Sequence, residues 1–248
     1  MVLIKSDFIS DFINTITHEF QTPLTAIIIA NKTIENENQF VENKKIASLN
    51  GVIIRQTERL NVLIKQVAET SGNKAIVLKL SNNNVNELLE QILSDYQWNI
   101  QNNEVKTNLI KQTNVDLVQL DKLHFTSIIL NIINNAIKYN HNKIKEVIVT
   151  TSLKQTDTFT ISIKDNGEGM SKTVIKNMFE KFYRNPSLVT SNEPGLGLGL
   201  YYTKQCLDAH QWKYEVISEE GLGTEFIVYI PLPKSYESIS VHPNYSTT

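Results

Sequence analysis

Residues 121–139 read DKLHFTSIILNIINNAIKY, and this stretch predicts a long apolar helix. Asn131 and Asn135 are four residues apart and therefore share one face of that helix. Inward-facing amides are costly unless a partner satisfies them. Amide oxygens are hard neutral ligands that suit Mg²⁺ when phosphates balance its charge, and Lys138 lies near the same face, within reach of an anion. The alternative is a helix cap or a polar surface in an Asn-rich chain.

The sequence around this helix predicts an α+β domain. Residues 85–99 have the apolar spacing of a second helix, and residues 147–153 and 159–164 have the pattern of a β-hairpin. Further strands are predicted at residues 77–80, 105–110, 115–120 and 226–230. Elements in this order favour a sandwich in which helices cover one face of a mixed sheet.

The pattern from Ser6 to about Ser71 predicts a helical hairpin with a polar turn at residues 36–43. Its second helix has apolar steps that alternate four and three, which is typical of a coiled-coil seam. Two helices cannot bury both stripes, so we expect dimerisation into a four-helix bundle. The alternative is that the hairpin packs on its own downstream domain. We therefore expect a hairpin at residues 1–72, a mixed domain at 73–233 and an irregular tail at 234–248.

His18 is a candidate nucleophile on the first helix of this hairpin. Thr22 lies one turn later on the same face, and Pro23 cannot donate a hydrogen bond to the carbonyl of Glu19. Glu19 is suited to accept a proton or to orient the imidazole so that its other nitrogen attacks. The alternative is a structural histidine beside a solvated carboxylate.

Two glycine-rich segments are candidate ligand loops. Residues 165–170 read DNGEGM after a predicted strand; the glycines permit close approach of a ligand, and Asp165 suits the exocyclic amine of adenine. Residues 195–200 read GLGLGL and open a predicted helix, where backbone N–H groups favour phosphate. The alternatives are a simple turn and a flexible hinge. Between them, FEKFYR at residues 179–184 places Arg184 beside a polar loop, from which it is able to reach a phosphate unless the loop is an ordinary surface segment.

Bulk composition sets further limits. The chain has 248 residues with 24 basic and 26 acidic side chains, which does not favour nucleic acid as a partner. The one cysteine, Cys206, excludes an internal disulfide. Its longest apolar run, residues 26–30, is far below the roughly 20 residues that span a bilayer. We expect a soluble, cytoplasmic chain that meets a membrane only through a missing upstream sensor region.

Together, these motifs closely resemble those of sensor histidine kinases, in the order usual for that family, over about residues 6–233. Residues 18–24 resemble the phosphoacceptor box, 131–139 the asparagine box, 165–169 the first glycine box, 179–184 the phenylalanine box and 195–199 the second glycine box. The fold that this resemblance implies is a dimeric helical hairpin followed by the α/β ATP-binding sandwich shared with gyrase, MutL and the large heat-shock chaperones.

The resemblance also implies roles for individual residues. His18 would accept a phosphoryl group from ATP and pass it to an aspartate of a response regulator receiver domain, with Glu19 as base or orienting partner. Residues 19–22, which include Thr22, would serve any phosphatase activity. Asn135 would bind Mg²⁺ with help from Asn131. The remaining nucleotide contacts would come from Lys138, Tyr139, Asp165, Gly167, Gly169, Arg184, Gly195, Gly197 and Gly199, under a lid formed by residues 185–194.

Two features depart from the family pattern. Gln21 stands where a basic residue is frequent, and only seventeen residues precede His18, which favours an excised fragment over a kinase that takes its signal from another protein. Three rival functions are a conformational ATPase of the same fold, a scaffold that has lost ATP binding, and an anti-sigma-type serine kinase. The first and third have no use for His18, and intact Asn, Asp and Gly positions argue against the second.

Overall fold

The structure is a computed structural model that describes residues 20–34, 46, 49–53, 56–57, 60, 64, 76–99, 104–113, 115, 117–154, 157–185 and 197–232. The chain divides into two compact units. One comprises Met1–Ala75 and Glu180–Tyr202, and the other comprises Ile76–Phe179 and Thr203–Thr248.

The first unit is helical in its N-terminal part. Helix α1 occupies residues 20–34, and every residue described between 46 and 64 is also helical. Pro23 and Ala30 of α1 are buried, whereas Leu24 and Ile28 are 49% and 45% exposed. Leu24 and Ile28 are one turn apart, so α1 presents an apolar stripe on its surface. The rest of the predicted hairpin, including its turn, lies outside the described residues.

The second unit is built on a mixed five-stranded sheet. Its elements follow the order β1 (Ser81–Asn84), α2 (Val85–Asn99), β2 (Val105–Lys111), β3 (Leu117–Leu120), α3 (Lys122–Lys138), β4 (Lys145–Lys154), β5 (Thr158–Asp165), α4 (Lys172–Asn177), α5 (Gly199–Ala209, which begins in the first unit), β6 (Lys213–Glu219) and β7 (Gly223–Pro231). The sheet has the order β2-β4-β5-β7-β6, in which only β2 and β4 are parallel. Strands β1 and β3 form a separate antiparallel pair.

Cross-strand rows of apolar side chains form the core of this sheet. Val149, Ile163 and Phe226 lie opposite one another on β4, β5 and β7, and each is at most 3% exposed. Directly opposed side chains share a face of a sheet and stabilise its register. Helix α3 contacts β4 and β5, and its buried side chains include Phe125, Ile128, Ile129, Ile132, Ile133 and Ala136. This packing fixes the helix that carries the paired asparagines.

Several predicted elements are confirmed, and one is wrong. Helix α2 has the predicted bounds, and the predicted hairpin exists as β4 and β5. Residues 77–80 are not a strand: the chain pairs only from Ser81 onward, where Ser81 lies opposite Leu120 of β3, and Val77 is 83% exposed. Helix α4 and strand β6 were not predicted. β6 alternates exposed with half-buried residues at the edge of the sheet, so its apolar signal is weak.

Asp121 follows β3 and connects the start of α3 to the segment that precedes β1. Its Oδ1 accepts hydrogen bonds from the backbone N–H groups of Leu123 and His124, both at 3.0 Å, and its Oδ2 accepts one from the backbone N–H of Lys79 at 2.7 Å. The His124 Nδ1 lies 2.9 Å from Oδ1. Burial raises the pKa of Asp121, but the hydrogen bonds from Lys79 and His124 outweigh it and lower the pKa to about 2.

We expect Asp121→Ala to lower the free energy of unfolding by about 2–3 kcal/mol at neutral pH, because the helix loses its N-cap and the backbone N–H of Lys79 loses its acceptor. The carboxylate has a lower pKa in the folded chain, about 2 against 3.8. Its stabilisation is therefore complete above about pH 4 and is lost as the pH falls toward 2. Urea denaturation at several pH values measures this difference between wild type and variant.

Asp208→Ala is the matched control, because Asp208 forms an exposed ion pair with Lys204 and we expect a cost below about 0.5 kcal/mol. Equal losses from the two substitutions, or a difference between Asp121→Ala and wild type that does not shrink in acid, would contradict the role assigned to Asp121.

Candidate functional site

A partly buried carboxylate stands at the end of β5. The Oδ1 of Asp165 accepts hydrogen bonds from the backbone N–H groups of Gly167 at 2.7 Å and Thr224 at 3.2 Å. Burial raises the pKa of the Asp165 carboxyl, and these two hydrogen bonds act in the opposite direction. Among the described residues no donor bonds to Oδ2. One oxygen is thus fixed by the main chain, and the other is left to accept a hydrogen bond from a ligand.

The turn after Asp165 packs tightly against the end of α3. The backbone N–H of Glu168 donates to the carbonyl of Tyr139 at 3.1 Å. A Cβ on Gly167 would lie 2.8 Å from that carbonyl oxygen and 3.3 Å from the Cβ of Asn140. Only a residue without a side chain fits between Asp165 and α3. Tyr139, Asp165 and Gly167, all predicted site residues, are therefore brought together here.

Gly169 is held against a second loop. Its φ is +67°, and an added Cβ would lie 1.9 Å from the carbonyl oxygen of Glu219. The backbone N–H of Gly221 donates to the carbonyl of Glu168 at 2.6 Å in the same region. The first glycine segment is thus clamped between α3 and the turn that joins β6 to β7.

We expect Gly169→Ala to destabilise the chain by more than about 3 kcal/mol, because it combines an unfavourable φ with a backbone overlap. Gly221→Ala is the matched control: its φ is +82°, but no atom lies within 4 Å of an added Cβ. We expect this control to cost about 1 kcal/mol. Thermal or urea unfolding measures both, and equal costs would show that the close approach at Gly169 is unimportant.

Asn131 and Asn135 lie on α3, and both are partly buried. The Nδ2 of Asn131 lies 3.3 Å from Oγ1 of Thr203, a fully buried residue of α5. The atoms that this face offers as metal ligands are neutral amide oxygens. The described residues hold no cluster of His, Cys, Asp and Glu that suits a metal ion. These residues fit Mg²⁺ only as a partner of phosphate oxygens. At the end of the helix, the Lys138 ammonium lies 5.1 Å from the centroid of the Tyr139 ring.

Among the described residues, four predicted site residues lie in the first unit: Thr22, Arg184, Gly197 and Gly199. Thr22 is exposed on α1, and Arg184 is partly buried. The carbonyl of Gly197 accepts a hydrogen bond from the backbone N–H of Phe182 at 3.0 Å, and Gly199 is the first residue of α5. The segment predicted around Arg184 is therefore joined to the second glycine segment. His18, Glu19, Gly195 and most of the predicted lid lie outside the described residues, so their placement stays a prediction.

A third glycine segment, which was not predicted from the sequence, also borders Asp165. Residues 221–224 read GLGT and run into β7, which begins at Gly223, and the backbone N–H of Thr224 supplies one of the two hydrogen bonds to Asp165. A Cβ on Gly223 would lie 2.2 Å from the carbonyl oxygen of Asp165. The signal in the sequence is the pair of glycines at residues 221 and 223, next to an apolar strand.

The fold and this site define a class of nucleotide-binding domain. The family model described as Histidine kinase-, DNA gyrase B-, and HSP90-like ATPase matches residues 120–234. The model for the His Kinase A (phospho-acceptor) domain matches residues 8–72. Sensor protein RprX of Bacteroides fragilis is 31% identical over 230 residues, which is 91% of this chain and 44% of that protein. The chain belongs to the sensor histidine kinases of two-component systems.

Solved structures show the same fold. Full-length ShkA in complex with AMPPNP aligns with a TM-score of 0.60 and 22% identity, covering 88% of this chain and 45% of ShkA. Histidine kinase ThkA in complex with response regulator protein TrrA aligns with a TM-score of 0.57 and 19% identity, covering 94% and 64%. The chain spans less than half the length of the first curated relatives it matches. None of the described helices is long and apolar enough to cross a bilayer.

Proposed function

We propose that this chain uses Mg·ATP to phosphorylate its own His18 and then transfers the phosphoryl group to an aspartate of a response regulator. The observation that carries the proposal is one chain holding both a phosphoacceptor domain around His18 and the Asp165 site. ATP as the nucleotide is supported by the match to an ATPase family model. The regulator as partner is supported by the ThkA–TrrA complex. Because ATP is a cytoplasmic nucleotide, the proposed reaction would take place in the cytoplasm.

To recognise adenine, Asp165 would accept a hydrogen bond from the exocyclic amine through its Oδ2. This assignment is supported by the fixed position of Oδ1, which accepts hydrogen bonds from the backbone N–H groups of Gly167 and Thr224. Gly167 and Gly169 let this turn pack against α3 and against the turn between β6 and β7, which would hold the carboxylate of Asp165 in place for the adenine ring. Tyr139, whose carbonyl binds this turn, would flank the nucleotide.

At the phosphate end, α3 and the glycine-rich segment before α5 would supply the contacts. Asn135, assisted by Asn131, would hold Mg²⁺, which would neutralise charge on the phosphates. Lys138 and Arg184 would contact phosphate oxygens. Gly195, Gly197 and Gly199 would line the phosphates beneath the lid of residues 185–194, since backbone N–H groups at the start of a helix favour anions.

The chemistry would be an in-line displacement at the γ-phosphorus. An imidazole nitrogen of His18 forms the P–N bond, the bond to the bridging oxygen breaks, and ADP leaves. Glu19 would orient the ring or accept its proton, so that the attacking nitrogen keeps a lone pair. Thr22, which is exposed on α1 and follows His18 by four residues in the sequence, would border this reaction and any phosphatase reaction on the regulator. Because P–N bonds are labile, the phosphoryl group would pass readily to a carboxylate.

We propose that the active species is a homodimer assembled through residues 1–72, with the nucleotide domain in residues 73–233 and a tail at 234–248. Leu24 and Ile28, one turn apart on α1, are about half exposed, and Ile64 is 52% exposed. A second copy of the hairpin offers the same stripe, and joining the two in a four-helix bundle would remove these side chains from water.

Incubation of the chain with γ-³²P-labelled ATP and Mg²⁺ tests the proposal. We expect a labelled protein whose label is lost in acid and retained in base, as a P–N bond requires. ATP labelled at the α-phosphorus is the control and should leave no label. Hydrolysis of ATP without a labelled protein would instead favour a conformational ATPase, and base-labile, acid-stable label would favour a serine kinase.

A further inference from the structure

Asn166, the residue after Asp165, has a side chain fixed by three hydrogen bonds. Its Oδ1 accepts from the Nδ2 of Asn140 at 2.7 Å and from the backbone N–H of Glu146 at 2.8 Å. Its Nδ2 donates to the carbonyl of Ile144 at 3.0 Å. Two donors face the oxygen and one acceptor faces the nitrogen, so only one orientation of the amide satisfies all three partners.

Asn140 anchors this arrangement to the end of α3. The residue is fully buried, two positions beyond the last residue of the helix. Its Nδ2 donates to Asn166, and its Oδ1 accepts the backbone N–H of Asn142 at 3.1 Å. A buried amide that lost these bonds would pay the full desolvation penalty. The position of the turn at residue 166 is therefore tied to α3.

Asn142 holds the backbone of the same turn. Its Nδ2 donates to the backbone carbonyl of Asn166. That carbonyl and the N–H of Gly167 belong to one peptide unit, which is planar and rigid. The N–H of Gly167 is the 2.7 Å donor to Oδ1 of Asp165. Because the peptide unit is rigid, holding the carbonyl of Asn166 also directs the N–H of Gly167 toward Oδ1 of Asp165.

We infer that Asn140, Asn142 and Asn166, the asparagine network, are positioning residues for recognition of the nucleotide base. The network locks the peptide that orients the Asp165 carboxylate and ties it to the helix that carries Asn131 and Asn135. It thereby sets the relation between the base end and the phosphate end of the site. This inference rests on the proposed contact between Asp165 and the adenine amine.

The test compares two ligands of the full chain by isothermal titration calorimetry with Mg²⁺. These are ATP and purine riboside triphosphate, which differs from ATP in lacking the exocyclic amine. The ratio of their affinities measures recognition of the amine. We expect Asn142→Ala and Asn166→Ala to lower this ratio about five- to tenfold, while the affinity for purine riboside triphosphate changes less than about twofold. Asn142 is exposed, so its variant should fold even if Asn166→Ala does not.

Asn108→Ala is the matched control, since Asn108 is an exposed residue of β2, and its ratio should equal that of wild type. A variant that melts at a lower temperature but keeps the wild-type ratio would overturn the inference, because a purely structural role predicts that result. If wild type and Asp165→Ala show the same ratio, the proposed adenine contact fails, and the inference fails with it.

Discussion

Replacing His18 by Gln is expected to abolish the stable phosphoprotein while the chain still binds ATP. Glutamine keeps a polar side chain of similar reach but has no nucleophilic nitrogen, so labelling should fall more than about a thousandfold. The proposed nucleotide contacts belong to other residues, so the affinity for Mg·ATP should change less than about twofold. Transfer of ³²P from γ-labelled ATP measures the first quantity, and calorimetry measures the second.

His242→Gln is the control, because it makes the same substitution in the proposed C-terminal tail. It should retain wild-type labelling. If His18→Gln also retained the label, with the same lability in acid, another residue would be the acceptor. If it lost both label and ATP binding, the nucleotide site would depend on residue 18 in a way that the proposal does not contain.

Asp165→Asn is expected to weaken ATP binding by about a hundredfold. The Oδ1 of the new amide would still accept from Gly167 and Thr224, so its NH₂ group would take the position of Oδ2. A donor would then face the donor amine of adenine, and a hydrogen bond to a charged acceptor would become a repulsion. Calorimetric titration with ATP gives the affinity.

The same variant gives a pH test. Burial raises the pKa of Asp165, and only the ionised carboxylate accepts through both oxygens. Wild-type affinity for ATP should therefore fall as the pH drops toward this raised pKa, and the affinity of Asp165→Asn should show no such change. Asp157→Asn, at an exposed position just before β5, should behave as wild type. Equal affinities of Asp165→Asn and wild type would remove Asp165 from the base site.

The elements that could be predicted from the sequence are those in which apolar residues repeat at regular spacing within the element itself. Helix α2 and the β4–β5 hairpin are examples, because their buried faces repeat clearly along the chain. Strand β1 reads SNNN and has no apolar signal; it is a strand because its backbone pairs with β3, more than thirty residues later. A strand was predicted instead at residues 77–80, because three of these four residues are apolar.

The candidate site divides in the same way. Asp165 and its glycines form a local motif, and their sequence was enough to single them out. Thr224 lies on another strand and reaches Asp165 only because β5 pairs with β7 in a register that places Lys164 opposite Glu225. The asparagine network likewise joins a helix end to a turn 26 residues away. Pairing register and helix docking are tertiary properties, which a single sequence does not specify.

The acceptor atom Oδ1 of Asp165 is held entirely by main-chain groups, at Gly167 and Thr224. Every amino acid except proline offers the same N–H, so the side chain at residue 224 is not needed for this contact. Over evolutionary time, position 224 is thus able to drift through many residue types without disturbing the carboxylate. Proline is the one replacement that would remove the donor at either position. The constraint on this part of the site acts on backbone shape, and homologues with little identity are able to preserve it.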